Sequence, residues 1–284
     1  MPKTLQELRV GIDALDQQLL QLLNRRAALA NEVGEIKRAE GSPVFRPERE
    51  AQVIANLQQA NTGPLKNASI SPIWREVMSA CRALEAPQRV AVLGPAGTFC
   101  EQAALEFFGS SVELIYCLNF DEVFRAAAAG TADFGVVGVE NSTEGVVARS
   151  LDLFLTSPVH IIGEVSLRVQ HNLLRTLPSL QGIEAVIAHP QALAQCQGWL
   201  AAHLPQAERR SASSNAEGAR LAAGNPAWAG IASERAAAHY GLHLAARAIQ
   251  DDVYNRTRFA IVCRPDVQPA PEASGHDCTS LVVS

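Results

Sequence analysis

A chain of 284 residues, 48% hydrophobic and 19% charged, is long enough to bury sizeable cores and fits one to three domains. Its net charge of −5 gives nucleic-acid binding no electrostatic support. No apolar run approaches the roughly 20 residues a spanning helix requires, and "MPKTLQELRV" turns polar and helical at once, so neither a membrane span nor a signal peptide is expected.

Residues 4–40 predict one long helix. Thr4 and Glu7 form a T-x-x-E capping box at its start, and Gly41-Ser42-Pro43 stops it. At about 1.5 Å per residue it runs on the order of 55 Å. Apolar residues recur at spacings of three and four: Leu5, Leu8, Ile12, Leu15, Leu19, Leu22, Leu29, Val33 and Ile36. This is a heptad seam, and the position between Leu22 and Leu29 is held by Arg26. Alone, Arg26 reads as a snorkelling side chain or an interhelical ion pair. Lys37, however, lies about three turns on and on nearly the same face, while Arg9 is roughly 25 Å back along the axis. No small ligand spans that distance on one helix. If Arg9 and Arg26 serve one site, Arg9 comes from a second chain packed antiparallel, and the seam is an interface around a buried anion.

Further helices are predicted from Pro47 to about Asn61 and from Ser71 to Leu84, completing an all-helical unit of residues 1–85. "EAPQR" (85–89) reads as a linker. Strand–loop–helix units then alternate through "RVAVLGPAGTFCEQAALEFF", "DFGVVGVENSTEGVVARSLDLFL", "IEAVIAHPQALAQCQGWLAAH" and "WAGIASERAAAHY". That alternation predicts an α/β unit over residues 89–265 with a largely parallel sheet. Strand-like stretches in "HIIGEVSLRVQHNLL" and "LHLAARAI" suggest two lobes with crossover strands. The Pro/Ala-rich "RPDVQPAPEASGH" reads as a linker, and "DCTSLVVS" as a strand-like stub closing the segment 266–284. Cys81, Cys100, Cys117, Cys196, Cys263 and Cys278 contain no CxxC and read as reduced thiols of a cytosolic protein. The one HxxxH, His239 to His243, encloses Gly241, which ends the helix and parts the rings, so no metal site is expected.

Four stretches gather polar residues at strand-to-helix junctions. "GPAGTFCEQAA" (94–104) offers glycines and a helix start to an anion. "GVVGVENSTEG" (135–145) places Glu140, Asn141 and Ser142 after an apolar strand, where they also suit a helix cap. "AHPQA" (188–192) sets His189 before a Pro fit for a first helical position. In "NRTRFAIV" (255–262) an extended chain puts Asn255, Thr257 and Phe259 on one face and Arg258 on the other. None of these is a nucleotide-binding loop.

The helical unit resembles the all-helical class of chorismate mutases, which form intertwined dimers of three helices. The pieces that carry the resemblance are "LRVGIDALDQQLLQLLNRRAALANEVGEIK", "PVFRPERE" and "WREVMSACRALE". The resemblance implies that Arg26, and Arg9 from the partner chain, grip the substrate carboxylates. It implies that Lys37 and Glu85 contact the ether oxygen, and that Arg49 and Glu50 belong to the site, Glu50 meeting the substrate hydroxyl. Claisen rearrangement of chorismate needs no nucleophile or cofactor. It needs a dianion held folded and donors where charge grows on the breaking C–O bond. Glu85 can donate there only when protonated, so mutase activity is expected to fall as pH rises through neutral. Arg46 and Cys81 depart from the family at secondary contacts, standing where some members have an acidic residue and Ser.

Residues 89–265 resemble prephenate dehydratase, a two-lobed fold like the periplasmic ligand-binding proteins with its site in the interlobe cleft. "GPAGTF", "VENS", "HPQ" and "NRTRF" carry the resemblance, in the family's order. It implies that Thr257 donates to the departing hydroxyl, directly or through a relay. Thr98, Phe99, Asn141 and Ser142 would contact substrate, Glu140 and His189 would orient it, and Arg258 is a further binding residue. Cys100 and Gly138 depart from the family, which usually has Ser or Thr and Pro there, so reduced turnover is expected. The stub resembles the first strand of the phenylalanine-binding ACT domain, the rest of which is not in this chain. No feedback inhibition is expected. A mutase joined to this dehydratase is the layout of a bifunctional family of phenylalanine synthesis, cytoplasmic and dimeric through its N-terminal helices. The competing readings are a mutase with a weakened dehydratase, a preference for arogenate, and a two-lobed ligand-binding or sensor protein.

Overall fold

The computed structural model describes residues 4–267; almost all of the expected linker and stub, Cys278 included, lies outside the described residues. The described chain forms two compact units, residues up to 88 with 108–113, and 89–107 with 114–267.

In the first unit, α1 runs Leu5–Glu40. Glu7 accepts from the Thr4 N–H at 2.7 Å while its own N–H donates to Thr4 Oγ1 at 3.2 Å, and Gly41 closes the helix at φ 69°. The seam residues of α1 are 47–65% exposed. Its one buried residue is Gly34, over which Glu85 lies: a Cβ there would stand 2.3 Å from Glu85 Cγ. The second helix, α2, spans Pro47–Ala60. The third, α3, spans Asn67–Glu85, beginning four residues before the expected Ser71. Ser71-Pro72 imitates a cap and first residue, yet a proline early in a helix deprives only one carbonyl of its partner, and the preceding turn still forms.

Two mixed sheets build the second unit. One has the order β2 (Glu113–Cys117), β1 (Arg89–Leu93), β3 (Phe134–Asn141), β11 (Arg256–Cys263), β5 (His160–Arg168), with β4 (Gly145–Val146) beside β3. The other runs β10 (His243–Ala246), β6 (Asn172–Arg175), β9 (Trp228–Ala232), β7 (Ala185–Ala188), β8 (Glu208–Ser211). The chain passes between them after β5 and again before β11, giving two lobes joined by two crossings. The expected largely parallel sheet is corrected here: β1–β3, β7–β8 and β7–β9 are parallel, but β11 runs antiparallel to both β3 and β5, and β6 antiparallel to β9 and β10. β11 enters from the second lobe, so its direction follows from the crossing rather than from a β–α–β repeat. Each lobe has its own core. Val92, Val136, Val137 and Ile261 are fully buried in one, and Leu173, Val186 and Ile231 in the other. Burying each such side chain contributes about 1.5–3 kcal/mol. His239 lies in α10 (Glu234–Tyr240) and His243 in β10, on either side of the left-handed Gly241.

Candidate active sites

In the helical unit, Arg26 points at α3 and donates from Nη1 to Cys81 Sγ at 3.0 Å. Lys37, one turn beyond Gly34, donates to the Val44 carbonyl at 2.8 Å, which ties α1 to the turn before α2. Glu85 crosses Gly34, and its buried Oε1 has no hydrogen-bond partner. Glu50 is ion-paired with the buried Arg82. Burial pushes the Glu50 carboxyl above its ordinary value, and Arg82, Arg26 and Arg75 pull it partly back. The structure thus brings Arg26, Glu50, Lys37 and Glu85 to the surfaces between the three helices. Arg9 is exposed, five turns of α1 away from Arg26. Arg49 is exposed as well and donates to Gln52 at 2.7 Å. Arg82 escaped the sequence reading. It also donates to Gln88 Oε1 at 3.1 Å and to the Phe108 carbonyl, and stacks on Phe45 with Cζ 4.8 Å from the ring centre.

In the second unit, "VENS" and "NRTRF" meet. Asn141 Nδ2 lies 2.8 Å from Thr257 Oγ1 and 2.7 Å from Asn255 Oδ1. Asn141 Oδ1 accepts from the Thr143 and Glu144 N–H groups at 3.0 and 3.1 Å. Asn255 reaches Gln195 Oε1 at 3.1 Å, and Gln195 Oε1 lies 2.9 Å from His171 Nε2. Gln195 Nε2 donates to Glu144 at 3.1 Å. His171 is buried, its Nδ1 has no partner, and burial pushes the ring below its ordinary value. Ser142 Oγ accepts from the Arg256 N–H at 2.9 Å. Two cavities of about 260 Å³ flank this network. One is lined by Phe99, Arg168, Asn172 and Arg235, the other by Glu144, Gln195, Gln250 and Asn255.

Other expected site residues stand apart from Thr257. Arg258 faces the opposite way, bonded to Glu140 at 2.7 Å and to Glu164 at 3.0 Å, all three exposed or half-buried. His189 caps α7 (Pro190–Gln195), its Nδ1 accepting from the Gln191 N–H at 3.3 Å. Thr98 caps α4 (Phe99–Phe108): its hydroxyl donates to the Leu93 carbonyl at 2.7 Å and accepts from the Glu101 N–H at 3.3 Å. Phe99 turns its ring edge-on to His171, centroids 5.9 Å apart. Thr98 and Glu101, spaced T-x-x-E, form half of a capping box. Glu101 is buried and accepts instead from the Gly97 N–H at 2.6 Å and the Tyr116 hydroxyl at 3.1 Å, and pairs with Arg235.

The two departures from the family lie together. The buried Cys100 thiol contacts the backbone of Leu93 and Gly138, and burial pushes it up to about 12. A Cβ on Gly138 would meet only ordinary contacts, the nearest at 3.8 Å from Phe120. Gln195, His171 and Asn255 were not among the expected site residues. "VQHNLL" reads as strand and "QALAQ" as helix, and a single glutamine or histidine in either carries no local mark.

Two adjoining catalytic units in one chain define a two-domain enzyme: residues 8–86 match the family model for chorismate mutase type II, and residues 90–267 that for prephenate dehydratase. Over 286 aligned residues the chain is 46% identical to the bifunctional chorismate mutase/prephenate dehydratase of Stutzerimonas stutzeri, covering 99% of this chain and 77% of that protein. The chain belongs to the bifunctional chorismate mutase/prephenate dehydratase family. It is 42% identical to arogenate dehydratase 5 of Arabidopsis thaliana over 64% of this chain and 43% of that one. The crystal structure of prephenate dehydratase from Arthrobacter aurescens in complex with L-Phe superposes with a TM-score of 0.61 at 34% identity, over 66% of this chain and 63% of the other.

Proposed function

We infer that this chain converts chorismate to prephenate in its helical unit and prephenate to phenylpyruvate in its two-lobed unit, two consecutive steps of phenylalanine synthesis. The observation that carries the reading is that residues far apart in sequence meet as the chemistry requires: Asn141 and Thr257, separated by 116 positions, lie 2.8 Å apart.

In the first step Arg26 binds a substrate carboxylate, and Lys37 and Glu85 flank the oxygen of the breaking bond. Glu50, paired with Arg82, accepts from the substrate hydroxyl. The bare row on α1 supports a homodimer in which the partner chain supplies Arg9. Burying the exposed half of one such side chain contributes about 1 kcal/mol. An isologous interface counts each residue twice. The row therefore yields on the order of 18 kcal/mol, above the roughly 4–15 kcal/mol that association costs. In the second step the ring carboxylate leaves as CO2, its bonding pair aromatises the ring, and the C4 hydroxyl departs with a hydrogen bond from Thr257. A cytosolic setting accords with five buried free thiols among the described residues, and no described helix is long and apolar enough to cross a membrane.

The test is a coupled assay on the purified chain: chorismate in, phenylpyruvate out. Arg26→Ala is expected to stop the first reaction and Thr257→Val the second, each sparing the other. Near-normal phenylpyruvate formation by Thr257→Val would sink the assignment. Arogenate offered beside prephenate decides the substrate of the second step.

A further inference from the structure

The amide groups of the cleft network can be oriented from its fixed ends. Backbone N–H groups only donate. Since those of Thr143 and Glu144 point at one atom of Asn141, that atom is oxygen and the other is the NH2 group. Asn141 therefore donates to Asn255, whose oxygen must face it and whose NH2 must face Gln195. At the far end the Glu144 carboxylate accepts from Gln195, which again sets the Gln195 oxygen toward Asn255 and His171. Both ends give the same polarity. Gln195 Oε1, 2.9 Å from His171 Nε2, can only accept, so His171 must carry its hydrogen on Nε2 and leave the buried, partnerless Nδ1 bare. At the other terminus the Asn141 NH2 group faces Asn255 Oδ1 and Thr257 Oγ1 and, at a longer 3.3 Å, the Arg256 carbonyl; an amide nitrogen cannot accept, so Thr257 Oγ1 accepts. Its own hydrogen then has no acceptor among the described residues.

We propose that His171 is a positioning residue for the dehydration step: its Nε2–H fixes Gln195, and through Asn255 and Asn141 it holds Thr257 with the hydroxyl hydrogen free for the departing oxygen. This rests on the dehydratase reading and adds to it a residue that does not itself touch substrate. The ring is packed by Phe99, the His171 backbone N–H donates to Gln250 Oε1 at 3.0 Å, and among the described residues no charged side chain is hydrogen-bonded to the ring. Gln195 is held in turn by Glu144, which accepts from its side-chain amide, and by the Asp251 backbone N–H, which donates to the Gln195 main-chain carbonyl at 2.8 Å, while the Asp251 carboxylate accepts from the Gly198 and Trp199 N–H groups. Were the hydrogen on Nδ1, Nε2 would face the Gln195 oxygen lone pair to lone pair. The amide would turn over, Asn255 would follow, and Asn141 would meet a second donor.

Nitrogen-15 NMR of histidine-labelled full-length chain, with His171→Gln assigning the ring signals, reads the tautomer directly. A pyrrole-type Nε2 with a pyridine-type Nδ1 is expected, and the reverse overturns the proposal. Kinetics on prephenate supply the second reading. His171→Phe keeps the ring shape but loses the donor, and kcat is expected to fall by about 10- to 100-fold with KM within about twofold. His171→Gln, which can still donate, is expected to recover most of that loss. Wild-type kcat in His171→Phe refutes the proposal, and so does a loss that His171→Gln leaves unrecovered while both variants melt like wild type. If His171→Phe does not fold, the wild-type tautomer decides. A wild-type chain that forms no phenylpyruvate would refute the dehydratase reading instead, and the tautomer measurement stands apart from it.

Discussion

Gly34→Ala separates stability from catalysis in the helical unit. The new Cβ would sit 2.3 Å from Glu85 Cγ, 2.7 Å from Cδ and 3.1 Å from Cβ, so the Glu85 side chain must leave the face of α1. Moving it to a less favoured rotamer costs about 0.5–1.5 kcal/mol. Alanine inside a helix regains about 1 kcal/mol over glycine. The two nearly cancel, and the melting temperature is expected to move by no more than a few degrees. The carboxyl, however, shifts by about an ångström or more, and a misplacement of that size costs on the order of 100-fold in rate, about 2.7 kcal/mol. Chorismate consumption, followed by loss of its ultraviolet absorbance, is expected to show that fall in kcat, with prephenate dehydration unchanged. Adding Glu85→Gln to Gly34→Ala should cost little more, because the group is already out of place. Wild-type mutase activity in Gly34→Ala would refute the reasoning, since Glu85 would then act from somewhere other than its seat on Gly34.

Asn141→Asp keeps the oxygen that accepts from Thr143 and Glu144 but turns the other atom from donor to acceptor against Asn255 and Thr257; a loss of about 100- to 1,000-fold in dehydratase kcat is expected, read on prephenate. Arg82→Met leaves Glu50 buried without its ion pair and should destabilise the helical unit by about 3–5 kcal/mol in urea melts. Burial holds Glu50 above its ordinary 4.5, so the folded state binds the proton more tightly: the contribution of this group to stability is full below pH 4.5 and is lost as pH rises through the raised value. Urea midpoints measured upward from pH 4 check this, and a midpoint rising with pH across that window would contradict it. Leu19→Arg, in the exposed row of α1, should yield a monomer by light scattering that keeps dehydration and loses rearrangement.

The elements legible in the sequence were those closed by local chemistry. The capping box of Thr4 and Glu7, the period of three and four, and Gly41 together bounded α1 to within a residue. Pro72 misled at α3 because a proline marks both a first helical residue and a tolerated early one. The sheet was read as largely parallel because strand direction is not a local property. β11 lies between β3 and β5, yet nothing in "NRTRFAIV" tells from which lobe the chain arrives. Arg26 in the apolar row posed a conflict only under the assumption that the row packs within its own chain. The row is open to solvent, and Arg26 turns from it to meet Cys81 on α3.

The cleft shows a sharper limit. Asn141 and Ser142 stand at a strand-to-helix junction, where polar residues are conspicuous but also suit a helix cap, and Thr257 alone is an ordinary strand residue; it was the resemblance carried by "VENS" and "NRTRF" that marked all three. Asn255 appeared only as a strand face-mate, and Gln195 and His171 passed as ordinary helix and strand residues. What they contribute is direction, which has no sequence signature: an amide is both donor and acceptor, and only its partners decide which atom faces where. The same ambiguity makes the network informative once folded. A backbone turn at Thr143–Glu144 orients Asn141, and the Glu144 carboxylate orients Gln195, so one short loop fixes both ends of the relay. Removing the Glu144 carboxylate leaves the Asn141 end intact, and a polarity held from either end survives it. Asn141→Asp strikes where the chain of donors reaches Thr257. The network should therefore tolerate Glu144→Gln, whose amide oxygen can still accept from Gln195, far better than a change at Asn141.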